Sequence, residues 1–229
     1  MFDLHGYGAS ILAGALLTIE VSLLSLCIAT GLGLVGALAR LSTSKIASSI
    51  AMVYTTVIRG IPDLVLMLLI FYGGQLLINQ LANAIGYDDY IDINPFIAGV
   101  LTIGFIFGAY MTETFRGAIL AIPRGQLEAA YAFGMTRGQV FWRILLPQMI
   151  PHALPSFGNN WLVLLKATAL VSVIGLDDMV RKATLAAGAT RLPFTFYLVV
   201  ALGFLGFTTV SILCLKWLEH RYRIHTKTI

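Results

Sequence analysis

Residues 10–38 form one apolar run that contains a single charged side chain, Glu20. Four more runs follow at 61–81, 95–118, 155–176 and 194–218. Each is long enough to cross a hydrocarbon core of ~30 Å at about 1.5 Å per helical residue. No water reaches such a core, so every backbone N–H and C=O must find its partner within the segment. The five runs therefore read as α-helices, and residues 1–229 as a single all-α membrane domain. The first run is overlong and is expected to tilt or project. Residues 45–59 read either as an interfacial helix or as an extension of the second span. Pro62 fits a first helical position, where a missing N–H costs least.

Composition excludes the main alternatives. Of the 229 residues, 58% are hydrophobic and only 11% charged, against about 25% charged in soluble domains. The formal net charge is +4, but the cations are scattered between apolar runs. Nucleic-acid binding needs them on one face. Cys27 and Cys214 lie inside apolar runs, where they read as small buried hydrophobes rather than as a disulfide. Residues 1–9 carry Asp3 and His5 but no Lys or Arg before the first run. With no positive residue before it and a length beyond that of a cleavable signal, the run is expected to stay as the first span.

Loop charge orients the bundle. The segment 81–95 has no Lys or Arg and carries Asp88, Asp89 and Asp92. Arg40, Lys45, Arg124, Arg137, Arg143, Lys216, Arg221, Arg223 and Lys227 collect at the other ends of the runs. The positive-inside bias places the N-terminus outside and the C-terminus in the cytoplasm. Arg181, Lys182 and Arg191 then fall outside, next to Asp177 and Asp178, and are expected to belong to a folded, partly shielded segment.

The loop 121–150 is the most polar stretch between spans. Leu127, Ala130, Tyr131 and Gly134 recur at helical spacing, with Glu128 pointing away. Gly134 weakens that helix and leaves a notch without a side chain. Thr136 and Gln139 form a capping box that restarts a helix. Val140, Phe141, Ile144 and Leu145 give this second helix an apolar face, and Pro147 is expected to stop it. Two short helices facing water between spans imply something that docks there.

The run Glu128-Ala129-Ala130, followed by Gly134, Ile144 and Leu146-Pro147, resembles the EAA signature of ABC-importer permease subunits. The segment from Arg59-Gly60-Ile61-Pro62-Asp63 to Leu64-Val65 is similar to the signature of the polar amino-acid branch. A third match includes Asn159, Asn160, the run from Leu165 to Leu170, and Ile174-Gly175. Together the matches cover about residues 11–221, and the histidine/lysine/arginine/ornithine permease type is the nearest in pattern. The resemblance implies a type I importer permease fold and a coupling helix that contacts an ATPase through Glu128, Ala129, Ala130 and Gly134. Many relatives place an Asp directly after the Lys, where this chain has Ala167, so the counter-charge of Lys166 must come from elsewhere.

Two patterns mislead. Gly31, Gly33 and Gly36 match the dinucleotide fingerprint but lie inside a span, without the strand and acidic residue the fingerprint requires. They read as a small-residue helix-packing face, as do Gly104 and Gly108. Either an intrachain or a subunit contact would use them. No GxxxxGK[ST] run is present, and His5, His152, His220 and His225 lack metal-ligand spacing. No cofactor is expected on this chain. ATP and Mg are expected on the partner ATPase.

Ionisable groups inside spans cost at least ~2.5 kcal/mol at mid-bilayer and mark candidate transport paths. They are Glu20, Glu113, Arg116 and Lys166. Glu113 and Arg116 are three residues apart and can pair on one helical face. Lys166 falls mid-span and needs a carboxylate, backbone carbonyls or water. Glu20 and Glu113 are the carboxylates within spans. Asn159 and Asn160 can either bond between helices or face a substrate. In the resembling permeases the segment after Ile-Gly supplies acidic groups near the path. Asp177 and Asp178 would attract a cationic substrate there.

The implied whole is a multi-pass subunit of the bacterial inner membrane that imports polar, basic amino acids by alternating access. Its expected partners are a second permease subunit or a second copy, two cytoplasmic ATPase subunits and a periplasmic solute-binding protein. Opines or neutral polar amino acids are the substrate alternatives. An ion-coupled transporter or channel is the rival class, and it leaves the 121–150 loop without a purpose.

Overall fold

The computed structural model describes residues 4–87 and 89–222. Asp3, Asp88, Arg223, His225 and Lys227, which enter the charge argument, lie outside the described residues. All regular structure among the described residues is helical. The elements are α1 (Gly8–Arg40), α2 (Lys45–Gly60), α3 (Asp63–Ala84), α4 (Pro95–Leu120), α5 (Arg124–Ala132), α6 (Arg137–Val140), α7 (Leu146–Ala167), α8 (Met179–Thr190) and α9 (Pro193–Tyr222). Five stretches are long and apolar enough to cross a membrane: α1, α3, α4, the continuous segment Arg137–Ile174, and α9. Leu12, Leu69, Leu101, Val163 and Leu205 are among the many large apolar side chains left on the surface. That is the surface a lipid-solvated bundle presents.

α4 is the central element. Its most apolar stretch is 67% buried, against 6% for α9. α1 runs parallel to α4 in a seam of glycines. Ile28 lies over Gly104, Leu32 over Gly108, Met111 over Gly33 and Thr112 over Gly36. The Ser25 hydroxyl donates to the Val100 carbonyl at 3.1 Å in the same seam. A Cβ on Gly104 would sit 2.7 Å from the Cβ of Ile28, so only glycine permits this approach. The small-residue faces read from the sequence are therefore an intrachain contact. Gly31 stands apart, with nothing near it. Without a hydrophobic drive between helices in lipid, this close packing is what holds the pair together.

The second crossing is made of two helices. α2 packs on α1 and α4, and α3 begins after a break at Ile61 and Pro62, both extended in backbone. The Tyr54 hydroxyl donates to the carbonyl of Phe105, well inside α4. Farther along α3, Gln75 bonds the backbone of Ile91 and Ile93, just before α4 starts. Asn79 brackets Ile91 at 2.8 and 2.9 Å. α3 has thus reached the α4 start by Gln75, and its remainder projects past it. Residues 45–59 are accordingly an extension of the span.

Two expectations about prolines need correction. Pro147 does not end the helix before it, and Pro155 does not begin a new span. α6 passes through a π-turn at Phe141–Leu145 into α7, which carries Pro151 and Pro155 in its interior. A proline ring clashes with the carbonyl four residues back in a tight α-turn. The wider π-turn comes directly before Pro147 and makes room for it. The second helix of the loop and the fourth span are one rod.

A 3-10 segment, Thr168–Ile174, ends that rod at Gly175, whose φ is +96. The chain then turns into α8, which packs between the start of α1 and α9 around Ile11, Met179, Ala183 and Phe196. This is the folded segment expected around Arg181 and Lys182. Cys27 and Cys214 are free, as expected, but they lie on the bundle surface rather than buried.

Candidate functional site

The break between α2 and α3 opens a polar cleft beside the middle of α4. One part, about 450 Å³, is lined by Arg40, Thr55, Thr56, Arg59, Gly60, Tyr110 and Glu113. It continues, through Arg59, Tyr110 and Glu113, into a part of about 480 Å³ that adds Thr114, Ser156, Asn159 and Asn160. Tyr110 lies fifteen positions along α4, ~22 Å from its start at about 1.5 Å per residue. Broken helices at mid-membrane depth mark binding sites because they expose backbone and polar groups where lipid would otherwise forbid them.

Glu113 is the hub of the charged wall. Arg116 Nε lies 2.8 Å from Glu113 Oε2, on the same helix face, as the three-residue spacing predicts. Arg40 Nε approaches Glu113 Oε1 at 3.4 Å from the end of α1. Each carboxylate oxygen therefore faces a guanidinium. Arg59 differs. Its guanidinium sits 5.5 Å over the Tyr110 ring and has no carboxylate within ion-pair reach among the described residues. Across the cleft on α7, the Asn160 amide nitrogen donates to Thr114 Oγ1 at 2.9 Å and to Met111 Sδ at 3.9 Å, and its carbonyl oxygen has no partner among the described residues. Asn159 is exposed to the cleft and has no hydrogen-bond partner for its side chain among the described residues.

Of the residues singled out from sequence, Glu113, Arg116 and Asn160 come together here. Lys166, Asp177 and Asp178 do not. Lys166 remains ~14 Å from the end of its segment, at about 2.0 Å per 3-10 residue. It is exposed and pairs with neither Glu20 nor Glu113. Glu113 is already held by two arginines, and Glu20 faces outward from α1. Arg40 and Arg59 were legible only as a loop cation and a motif letter. Nothing in their local sequence points at Glu113 or Tyr110.

Asp177 and Asp178 divide into two structural roles. Asp177 is half exposed and bonds Lys182 Nζ at 2.7 Å and Arg181 Nε at 3.2 Å. The Lys182 hydrogen bond, against a weaker opposing burial, holds its carboxyl below the usual range. Asp178 is 0% exposed and caps α8, accepting from the Arg181 backbone N–H at 2.9 Å. Burial pushes its carboxyl up to about 6. Its second oxygen has no partner. The turn that carries it presses on Gly14, where a Cβ would come within 2.8 Å of the Asp178 backbone. Asp178 is sealed inside the chain, so it offers no charge to a path in this conformation.

The 121–150 loop forms a separate surface at the other end of the rod. Gly134 has φ +77 and closes α5 in a left-handed cap. The Met135 N–H reaches the Ala130 carbonyl at 3.2 Å, and the Gly134 N–H reaches Tyr131 at 2.9 Å. The Thr136–Gln139 capping box is present in full. Glu128, Ala129 and Gly134 are exposed, whereas Ala130 is buried against its own chain. Tyr131 is exposed rather than inward. Phe133 and Trp142 are also exposed, at 87% and 68%. Sequence periodicity alone gave these aromatics no role.

This arrangement has close relatives. The family described as binding-protein-dependent transport system inner membrane component matches residues 29–224. The chain is 53% identical over 224 residues to the histidine/lysine/arginine/ornithine transport system permease protein HisQ of Salmonella typhimurium, covering 98% of both chains. It is 40% identical over 210 residues to the octopine transport system permease protein OccQ of Rhizobium radiobacter, covering 92% of this chain and 89% of that one. A solved structure described as an amino acid ABC transporter with histidines aligns with a TM-score of 0.79 and 32% identity, covering 96% of this chain and 99% of that one. With five candidate spans, a glycine-sealed core and an EAA segment joined to the cleft by one rod, the chain belongs to the binding-protein-dependent inner membrane components, the permease subunits of ABC importers.

Proposed function

We propose that this subunit imports amino acids with basic side chains across a bacterial inner membrane. The observation that carries this is the 53% identity, along nearly the full length, to a permease named for histidine, lysine, arginine and ornithine. The opine permease is more distant, at 40%. A second permease subunit, or a second copy, closes the cleft that is open in the single chain. One ATPase subunit docks at Glu128, Ala129 and Gly134, with Phe133 and Trp142 as apolar anchors, and a second docks on the partner permease. A solute-binding protein delivers substrate to the opposite face. Loop charge supports a cytoplasmic position for α5 and α6, with the chain start periplasmic.

Continuity of the rod gives a physical route for coupling. α6, the π-turn and α7 are one segment, Arg137–Ile174, so displacement at α6 moves Asn159 and Asn160 at the cleft. Substrate is carried because two conformations bind it differently, and ATP hydrolysis on the partner drives the exchange between them. The test is uptake of labelled arginine, lysine and histidine into vesicles that hold the co-purified complex, with saturating binding protein outside. Uptake that requires internal ATP and persists without any ion gradient is expected. Uptake driven by a gradient alone, or confined to opines or neutral amino acids, would overturn the reading.

A further inference from the structure

We infer that Arg59 holds the α-carboxylate of the substrate, and that the cleft therefore reads the zwitterionic backbone common to amino acids rather than the charge of the side chain. The inference rests on the reading of the cleft as an amino-acid site.

Charge balance is the first argument. The cleft lining contains two cations, Arg40 and Arg59, and one anion, Glu113. Arg116 adds a third cation on the far side of Glu113. Asp63 opens α3 four residues after Arg59 but makes no ion pair with it. A cationic side chain seeking Glu113 would have to displace a guanidinium from one of its two oxygens. An anion meets no such barrier at Arg59, whose guanidinium lies over the Tyr110 ring and makes no ion pair or hydrogen bond among the described residues. A guanidinium presents paired N–H donors that match a carboxylate bidentately. Stacking on an aromatic face fixes its plane while leaving those donors free.

Geometry supplies the second argument. Arg59 lines both parts of the cleft and faces Asn159 and Asn160 on α7. Because the Asn160 amide nitrogen is engaged by Thr114 Oγ1 and Met111 Sδ, the atom it offers the cleft is the acceptor oxygen. An α-ammonium needs such acceptors, just as an α-carboxylate needs donors. The lining provides both kinds of group, and its one carboxylate, Glu113, is already held by two arginines. Asp63, which carries no ion pair among the described residues, lies near Tyr110 but outside the lining.

The experiment uses the purified permease–ATPase complex without binding protein, so that only the membrane site is read. Labelled arginine is displaced by unlabelled arginine, by arginine methyl ester and by citrulline. The ester keeps the cationic side chain and lacks the carboxylate; citrulline keeps the carboxylate and has a neutral side chain of nearly the same shape. Citrulline should compete within a few-fold of arginine, and the ester at least tenfold more weakly, about 1.4 kcal/mol. Arg59→Gln should weaken arginine at least tenfold and erase the difference between arginine and its ester. Arg59→Lys should recover part of both. The wild-type displacement series stands even if a variant fails to assemble. An ester that matches arginine while citrulline fails would show that the site reads the side chain, and would overturn the inference alone. So would an Arg59→Gln complex that still rejects the ester. A wild-type complex that binds none of the three would overturn the amino-acid site together with the role of Arg59.

Discussion

The guanidinium of Arg40 lies 3.4 Å from Glu113, 73 residues later in the chain, and ties the end of α1 to the polar wall of α4. Arg116 completes the triad from the other side at 2.8 Å. Side-chain exposures of 16%, 19% and 33% for Arg40, Glu113 and Arg116 put it between a surface pair and a buried one. Such a triad is asymmetric under substitution. Removing the shared carboxylate leaves two guanidiniums facing each other, whereas removing one arginine leaves a pair intact.

Glu113→Gln should therefore lower the thermal midpoint of the detergent-solubilised chain by more than Arg40→Gln does. The difference should be about 1–2 kcal/mol, well short of a fully buried pair. Arg40→Gln combined with Glu113→Gln should cost less than the sum of the two single changes, because the partner left unpaired is gone. Additive losses would show that the 3.4 Å contact contributes nothing.

The glycine seam gives a prediction that contrasts neighbours on one helix. Gly33 packs against Met111, while a side chain on Gly31 would enter open space. Gly33→Leu should force α1 away from α4 and cost at least ~1–3 kcal/mol, seen as loss of a monodisperse peak on fluorescence-detected chromatography. Gly31→Leu adds the same side chain two positions away and should elute like the parent. Equal behaviour of the two would mean that the seam does not decide stability.

These cases separate what the sequence announces from what it hides. Apolar run length and the glycine spacings speak of local helix geometry, so the five spans and the packing role of Gly33, Gly36, Gly104 and Gly108 could be read directly. The capping box at Thr136 is equally local. Pro147 misled because a proline reads as a stop, and the π-turn that accommodates it has no letter of its own. The cleft was hidden for a different reason. Arg59 is only a letter of a motif until the break at Ile61 and Pro62 lays it on Tyr110, and Arg40 is a loop cation that meets Glu113 only through the long-range packing of α1 on α4. Asp177 and Asp178 are adjacent letters with opposite environments. Only the fold reveals that one is solvated and the other sealed.

Asp178 makes a prediction about pH. An ordinary aspartate titrates near 3.8, and here burial raises the carboxyl to about 6. The folded chain therefore keeps a proton that the unfolded chain has lost, so this group's contribution to stability is fullest below about 4. It falls as pH rises to about 6, and is flat above that. Asp178→Asn keeps an oxygen for the Arg181 N–H and carries no charge. At pH 7 it should raise the thermal midpoint, by about 1–2 kcal/mol of stability, and the slope of the midpoint between pH 4 and 6 should flatten. Asp178→Ala also removes the charge but loses the α8 cap, which is worth about 1 kcal/mol, so it should stabilise less. A midpoint for Asp178→Asn below that of the parent at pH 7 would mean that the charged form is favoured in place.

Gly134 closes α5 with φ +77, and a Cβ there would touch nothing in the chain. Two effects of substitution can thus be told apart, because the internal cost is conformational while any steric cost must come from a partner. For the chain alone, Gly134→Asn should be nearly neutral, since Asn tolerates the left-handed region. Gly134→Ala should cost about 1 kcal/mol, and Gly134→Val more, through its β-branch. If the ATPase subunit approaches the bare backbone of this turn, Asn will already disturb docking, although it leaves the fold intact. The proposal therefore predicts a Gly134→Asn permease with the parent's thermal midpoint but reduced co-purification of the ATPase and reduced ATP-dependent uptake. Phe133→Ala, which removes an exposed ring without altering the cap, should weaken co-purification by the same route. Full ATPase retention in both variants would place the contact elsewhere on the loop. A matching loss of thermal midpoint would assign the defect to the cap of α5 and not to the partner.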